Sequence, residues 1–141
     1  MSTATNSPSK LMSKTYADDV AEFHEVILDQ YSPPPNIGDK QLLLERLGFM
    51  HEELQEFNMA ATQGDIVLAA DALADLVYVA LGTAYLMGIP FNAVWTAVQK
   101  ANMTKQRGMT KRGNAFDAMK PIGWVGPEKE IFEAIKRAAL A

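Results

Sequence analysis

The sequence predicts an all-α protein, and three observations carry that expectation. Apolar residues recur at three- and four-residue spacing through successive stretches, and strand patterning with its period of two is absent. Proline and glycine punctuate the chain between these stretches, at Ser32-Pro33-Pro34-Pro35-Asn36, at Gln63-Gly64 and at Gly88-Ile89-Pro90. Residues able to cap a helix stand before the apolar periodicity: Thr15 or Asp18, then Asp39, then Asp65. Short joints between long helices imply an antiparallel four-helix bundle with a further short C-terminal helix.

The first helix is expected over residues 17–30, where Val20, Phe23, Ile27 and Leu28 share a face, and the proline run stops it. A long second helix begins at Asp39 and passes through Leu42, Leu43, Leu47, Met50, Leu54 and Phe57 to the region of Gly64. Asp65 caps the third, which reaches Met87 and ends as a helix followed by glycine and proline should. The fourth covers about residues 91–105 with Val94, Trp95, Val98 and Met103. An irregular stretch rich in Gly, Lys and Arg follows, residues 106–127, and then an amphipathic helix from Glu128 to about Leu140. Residues 1–14 are Ser/Thr-rich without an apolar core and read as a flexible tail, leaving residues 15–141 as a single domain. The third helix is apolar on nearly every side, so burial at a subunit interface and a homodimer or homotetramer are expected. Two acids inside that run, Asp71 and Asp75, argue against a membrane span, and a cytoplasmic location with no membrane partner follows.

With 13 basic against 17 acidic residues, the net charge of -4 supplies no general attraction to nucleic acid. The absence of cysteine excludes disulfides, zinc thiolate sites and thiol nucleophiles. Charge is nonetheless unevenly placed. No Lys or Arg occurs between Arg46 and Lys100, a window that holds Glu52, Glu53, Glu56, Asp65, Asp71 and Asp75. Nine of the basic residues lie at or after Lys100. Such a division suits a metal together with a phosphate-rich ligand, and equally suits salt bridges between the two halves.

On a helix, Glu52 and Glu53 lie one turn from Glu56, and Asp71 lies one turn from Asp75. The glutamates alone would pass for a solvated face. The aspartates sit in an apolar run, where unpaired carboxylates repel one another and lose hydration unless they are protonated or share a cation. A hard divalent cation with oxygen ligands, Mg²⁺ or Mn²⁺, resolves that conflict. No spacing of His24 and His51 supports a zinc site, and both are expected as partly exposed helix histidines. Trp95 and Tyr78 are expected in the core, whereas Trp124, in a loop between glycines, is open to either role.

Glu52-Glu53-Leu54-Gln55-Glu56, the run Asp71-Ala72-Leu73-Ala74-Asp75-Leu76-x-Tyr78-Val79, Asn102-Met103-x-Lys105 and Lys120-Pro121-x-Gly123-Trp124 resemble motifs of the MazG-like all-α nucleoside triphosphate pyrophosphohydrolases. Phosphoribosyl-ATP pyrophosphohydrolase and the all-α dUTPases are relatives of that group. The resemblance covers roughly residues 16–127, and the short single-domain chain is similar to phage or bacterial members, including the phage MazZ type that acts on guanine nucleotides. It implies hydrolysis between the α- and β-phosphates of a nucleoside triphosphate, with guanine nucleotides as the substrate and two or three Mg²⁺ or Mn²⁺ ions per site. It implies Glu53, Glu56, Asp75 and Asp71 as metal ligands and Glu52 as a ligand or as the catalytic base. It implies Lys105 on phosphate, Asn102 on phosphate or sugar, and Lys111, Arg112, Lys120 and Trp124 as further substrate contacts. In one respect the chain departs from the group, which usually carries Glu-x-x-Asp where this chain has Ala72-x-x-Asp75; Asp71 is the acid placed to take that role. The alternative is a non-enzymatic helical oligomer, an interaction module whose acidic helices pair with the basic C-terminal stretch of another copy.

Overall fold

The computed structural model describes residues 13–109 and 117–141. Five helices and one short hairpin make up the described residues, confirming an all-α fold. Two compact units make up the chain, Met1–Gly88 and Ile89–Ala141, each with its own packing.

In the first unit, α1 (Tyr16–Val26) uses both of its expected caps. The Thr15 side chain accepts from the Asp18 amide, and the Asp18 carboxylate accepts from the Thr15 amide, so two orphan donors are satisfied together. The helix stops four residues short of the expected Gln30. Asp29 turns left-handed, with φ 52°, which folds the Gln30 amide back onto the His24 carbonyl at 2.9 Å and brings its side-chain oxygen to His24 Nδ1 at 2.8 Å. Helix α2 (Lys40–Thr62) is capped by Asp39 and α3 (Ile66–Leu86) by Asp65, as the sequence suggests. Gly64, at φ 73°, makes the tight turn between them, so α2 and α3 run antiparallel in close contact.

The proline segment is tied to the end of α3. The Asn36 amide donates to the Met87 carbonyl, the Ser32 hydroxyl to the Tyr85 carbonyl, and the Tyr85 hydroxyl to the Gln30 carbonyl. Gly88 is required where the two meet: its φ is 69°, and a Cβ there would run into the Pro33 carbonyl oxygen. The buried residues of α2 and α3 are mostly small, Ala60, Ala69, Ala72, Gly82 and Ala84, which lets the helix backbones approach closely.

In the second unit, α4 (Phe91–Asn102) packs on α5 (Glu128–Leu140) through Ala97, Ala101 and Ala134. Helix α4 ends at Asn102 and not at Lys105, because the Ala101 carbonyl is taken by the Thr104 hydroxyl and by the indole N–H of Trp124. The stretch expected to be irregular contains a hairpin: β1 (Gln106–Gly108) pairs antiparallel with β2 (Asp117–Met119), Gln106 opposite Met119. Strands of three residues are too short to show a period of two, which is why the alternation test misses them.

Much apolar surface remains on α3. The helix is long and apolar enough by length and composition to cross a membrane, yet only 22% of that apolar window is buried within the chain. Leu68, Leu73, Val77 and Tyr78 are all exposed.

Candidate metal centre

Glu53 and Glu56 project from α2 and Asp75 from the antiparallel α3, and one carboxylate oxygen of each lies within 4.8 Å of the others. Three-residue spacing on α2 places both glutamates on one face, and the short turn at Gly64 sets α3 alongside them. Glu53 and Asp75 are half-buried; Glu56 faces solvent. Among the described residues no Lys or Arg pairs with the three: the ion pairs are Lys14 with Asp19 and Glu22, and Lys100 with Glu130.

The electrostatic consequence is visible in the acids themselves. Burial pushes the Glu53 carboxyl up to about 7, assisted by a hydrogen bond shared with Glu56 and by the charges of Glu56, Asp75 and Glu52. Asp75 is likewise raised, first by burial and then by Asp71 and Glu56. The second oxygen of Glu53, Oε2, is buried and has no hydrogen-bond partner. A hard divalent cation fits this donor set: it takes oxygen ligands only, it balances the clustered charge, and it gives the orphaned oxygen a partner.

Other expected site residues fall in different places. Asp71 lies outside the group of three; with Glu56, Met59, Gln63, Leu68 and the buried Ala72 it lines an adjoining cleft of about 210 Å³. Glu52 is exposed on α2 and close enough for its charge to act on Glu53. Asn102 is the last residue of α4, and Lys105, Lys120 and Trp124 also belong to the second unit. There the Lys105 and Lys120 ammonium groups lie 5.3 and 5.1 Å from the centre of the Trp124 ring. Lys111 and Arg112 fall outside the described residues.

Three expectations about side chains are corrected, and the first is Tyr78, which is not in the core but 39% exposed, with its ring edge-on to Phe23. Trp95 is not a core residue; it is 60% exposed beside Phe91, because α4 packs through the Ala97 and Ala101 face and Trp95 points the other way. His24 is not partly exposed; it is buried among Phe23, Tyr85 and Gln30. A buried polar layer was not legible beforehand. Arg46 enters the interior between the helices, donating to the Thr83 hydroxyl at 3.1 Å and to the Val79 carbonyl at 3.2 Å, with its guanidinium over Phe49. The one sequence signal for it was Gly82 within an apolar helix, since a Cβ there would sit 2.6 Å from His24 Nε2 and 2.8 Å from Arg46 Nη2.

Helical fold and carboxylate trio together define a class: an all-α protein that gathers acids from two antiparallel helices into a group that could hold a cation. More particularly, the phosphoribosyl-ATP pyrophosphohydrolase family matches residues 20–102, more than half of the chain, and the chain belongs to that family. The family is part of the MazG-like nucleoside triphosphate pyrophosphohydrolases, in agreement with the resemblance read from the sequence. No curated protein matches the chain closely enough to stand beside it. Membership brings the general kind of reaction, hydrolysis of a pyrophosphate linkage in a nucleotide. The matched residues include every acid of the site and Asn102, and stop short of Lys105, Lys120 and Trp124.

Proposed function

We propose that the protein hydrolyses a nucleoside triphosphate between its α- and β-phosphates, releasing a nucleoside monophosphate and pyrophosphate, with Mg²⁺ or Mn²⁺ as cofactor. The observation that carries this is the buried, unpartnered oxygen of Glu53 within a set of three carboxylates that no cation among the described residues neutralises. Glu53, Glu56 and Asp75 hold the metal, and Asp71 serves as a fourth ligand from the adjoining cleft. Two or three ions per site would neutralise the polyphosphate and acidify the attacking water. Glu52, exposed beside the trio, accepts the proton of that water as the α–β bridge is cut. Guanine nucleotides are the proposed substrates. Phosphoribosyl-ATP, the substrate in the family's name, contains the same linkage and belongs in the same test.

We further infer that the exposed apolar face of α3 is covered by another copy of the chain in a homodimer or homotetramer, because Leu73 and Val77, one helical turn apart, are large apolar side chains that a lone chain leaves in water. The division of charge also permits an interaction module without chemistry; family membership favours the enzyme.

Pyrophosphate release is measured over a panel of ribo- and deoxyribonucleoside triphosphates and phosphoribosyl-ATP, with Mg²⁺ or Mn²⁺. Metal-dependent monophosphate formation is expected, fastest with GTP or dGTP and lost in Glu53→Gln and Asp75→Asn. Turnover of no member by a folded protein would sink the proposal.

A further inference from the structure

The turn at Gly64 joins α2 to α3 at one end and sets which of their residues lie level, but a joint at one end leaves the angle between two helices open. Glu53 and Asp75 each stand eleven residues from Gly64, about 16 Å along their helices at 1.5 Å per residue. Packed helices scatter by about 15–20° around their preferred crossing angles. Over that lever, a swing of about 15° moves Asp75 by about 4 Å relative to α2. The oxygens of the trio lie within 4.8 Å of one another, so such a swing would take Asp75 out of the group. The buried apolar residues of the two helices are mostly small, Ala60, Ala69, Ala72 and Ala84, and contacts of that kind are non-directional. A second fixed point is needed on the far side of the acids.

Arg46 stands at that point. It lies seven residues before Glu53 on the same face of α2, and Thr83 lies eight residues after Asp75 on α3. Its Nε donates to the Thr83 hydroxyl at 3.1 Å and its Nη2 to the Val79 carbonyl at 3.2 Å, so two directional bonds cross from α2 to α3. The Thr83 hydroxyl donates in turn to the Val79 carbonyl at 2.8 Å, which leaves its lone pairs to accept from Arg46. The Phe49 ring lies 5.3 Å from the guanidinium, and Gly82 supplies the space that it occupies. Arg46 is only 8% exposed, and the ion pairs among the described residues do not include it. Burying a guanidinium against neutral acceptors is unfavourable, and an apolar side chain of similar length would fill the seam at less cost. What an apolar side chain cannot do is select one placement of two elements, and that is the best-attested use of a buried polar group.

We propose that Arg46 is a positioning residue for the metal centre: by bonding α2 to α3 through Thr83 and Val79, it holds Asp75 within reach of Glu53 and Glu56. This rests on the metal centre of the proposed function and adds to it a residue that touches neither metal nor substrate. Coulomb forces act in the opposite sense, because a fixed cation about 10 Å from the acids opposes the binding of another. A loss of metal affinity when that charge is removed therefore reports geometry.

The test is Mn²⁺ binding by the full chain at pH 8, followed through the electron paramagnetic resonance of the free ion, with helical circular dichroism and melting temperature measured beside it. Arg46→Met keeps the length of the side chain and removes its donors. It should stay within about 4 °C of the native melting temperature and bind Mn²⁺ about tenfold more weakly. Thr83→Val, which keeps the shape without the hydroxyl, should also weaken Mn²⁺ binding by about tenfold, and Thr83→Ser should restore it. Val20→Ala, a cavity at a residue 2% exposed on α1, should lower the melting temperature and leave Mn²⁺ affinity within about twofold. A merely structural Arg46 would move stability and affinity together. Equal loss of affinity in Val20→Ala overturns the proposal. A native chain that binds no Mn²⁺ overturns the metal centre and the positioning role together, whereas native binding that Arg46→Met and Thr83→Val both retain removes the positioning role alone.

Discussion

Glu53 concentrates the physics of the site in one side chain. Its carboxyl ordinarily titrates near 4.5, and the fold lifts it to about 7 by burial and by neighbouring acids. The folded state therefore holds that proton more tightly than the unfolded chain does. In the metal-free protein the stabilisation from this residue is complete below pH 4.5 and is lost as pH rises through about 7. Asp75, raised in the same direction, acts with the same sign. Thermal unfolding in EDTA at pH 5 and pH 8 measures the effect, and Glu53→Gln, which cannot ionise, should show a smaller fall in melting temperature between the two. Adding Mn²⁺ at pH 8 should restore stability to the native protein and do far less for Glu53→Gln, because bound metal stabilises by mass action. At this scale the sequence shows which acids lack basic neighbours, whereas the burial of one oxygen of Glu53 is known only once α3 is packed against α2.

Among the elements, α2 and α3 matter most, and the polar layer of His24, Arg46 and Thr83 lies along their seam. Gly82 makes room for it. Gly82→Ala places a methyl group against both His24 Nε2 and Arg46 Nη2, and should destabilise the protein by about 1–3 kcal/mol, the usual cost of overpacking a filled interior. Urea unfolding measures it, and a change below about 0.5 kcal/mol would show that the layer yields readily. Caps and terminators were legible here because they are local: Asp39, Asp65 and Gly88 each act within a few residues of themselves. Arg46 was not, because its partners Val79 and Thr83 lie more than thirty residues away in the chain.

At the scale of the whole molecule, the exposed apolar face of α3 decides the expectation. Light scattering on the eluting protein should give a mass of two chains or more. Val77→Glu, at a position 49% exposed in the single chain, should shift that mass toward one chain while helical circular dichroism persists. A monomeric native protein would refute the proposed assembly. The same scale explains the error over Trp95: helical periodicity says that a residue lies on an apolar face, and it does not say whether a neighbour covers that face.

By itself the sequence determined what is short-range or compositional. It defined where the helices begin and end to within a few residues, which acids have no basic partner, the exclusion of thiol chemistry, and a family whose matched region holds all of those acids. The tertiary structure decided which of the acids meet. Asp71 and Asp75 look equivalent on a helical wheel, yet only Asp75 reaches Glu53 and Glu56, because the turn at Gly64 fixes the register of α3 along α2. It also decided that Lys105 and Lys120, fifteen positions apart, stand together over Trp124 through a hairpin too short to leave a pattern. Capping and periodicity act through neighbours in the chain; sites arise from contacts between residues far apart in it, whose geometry exists only after packing.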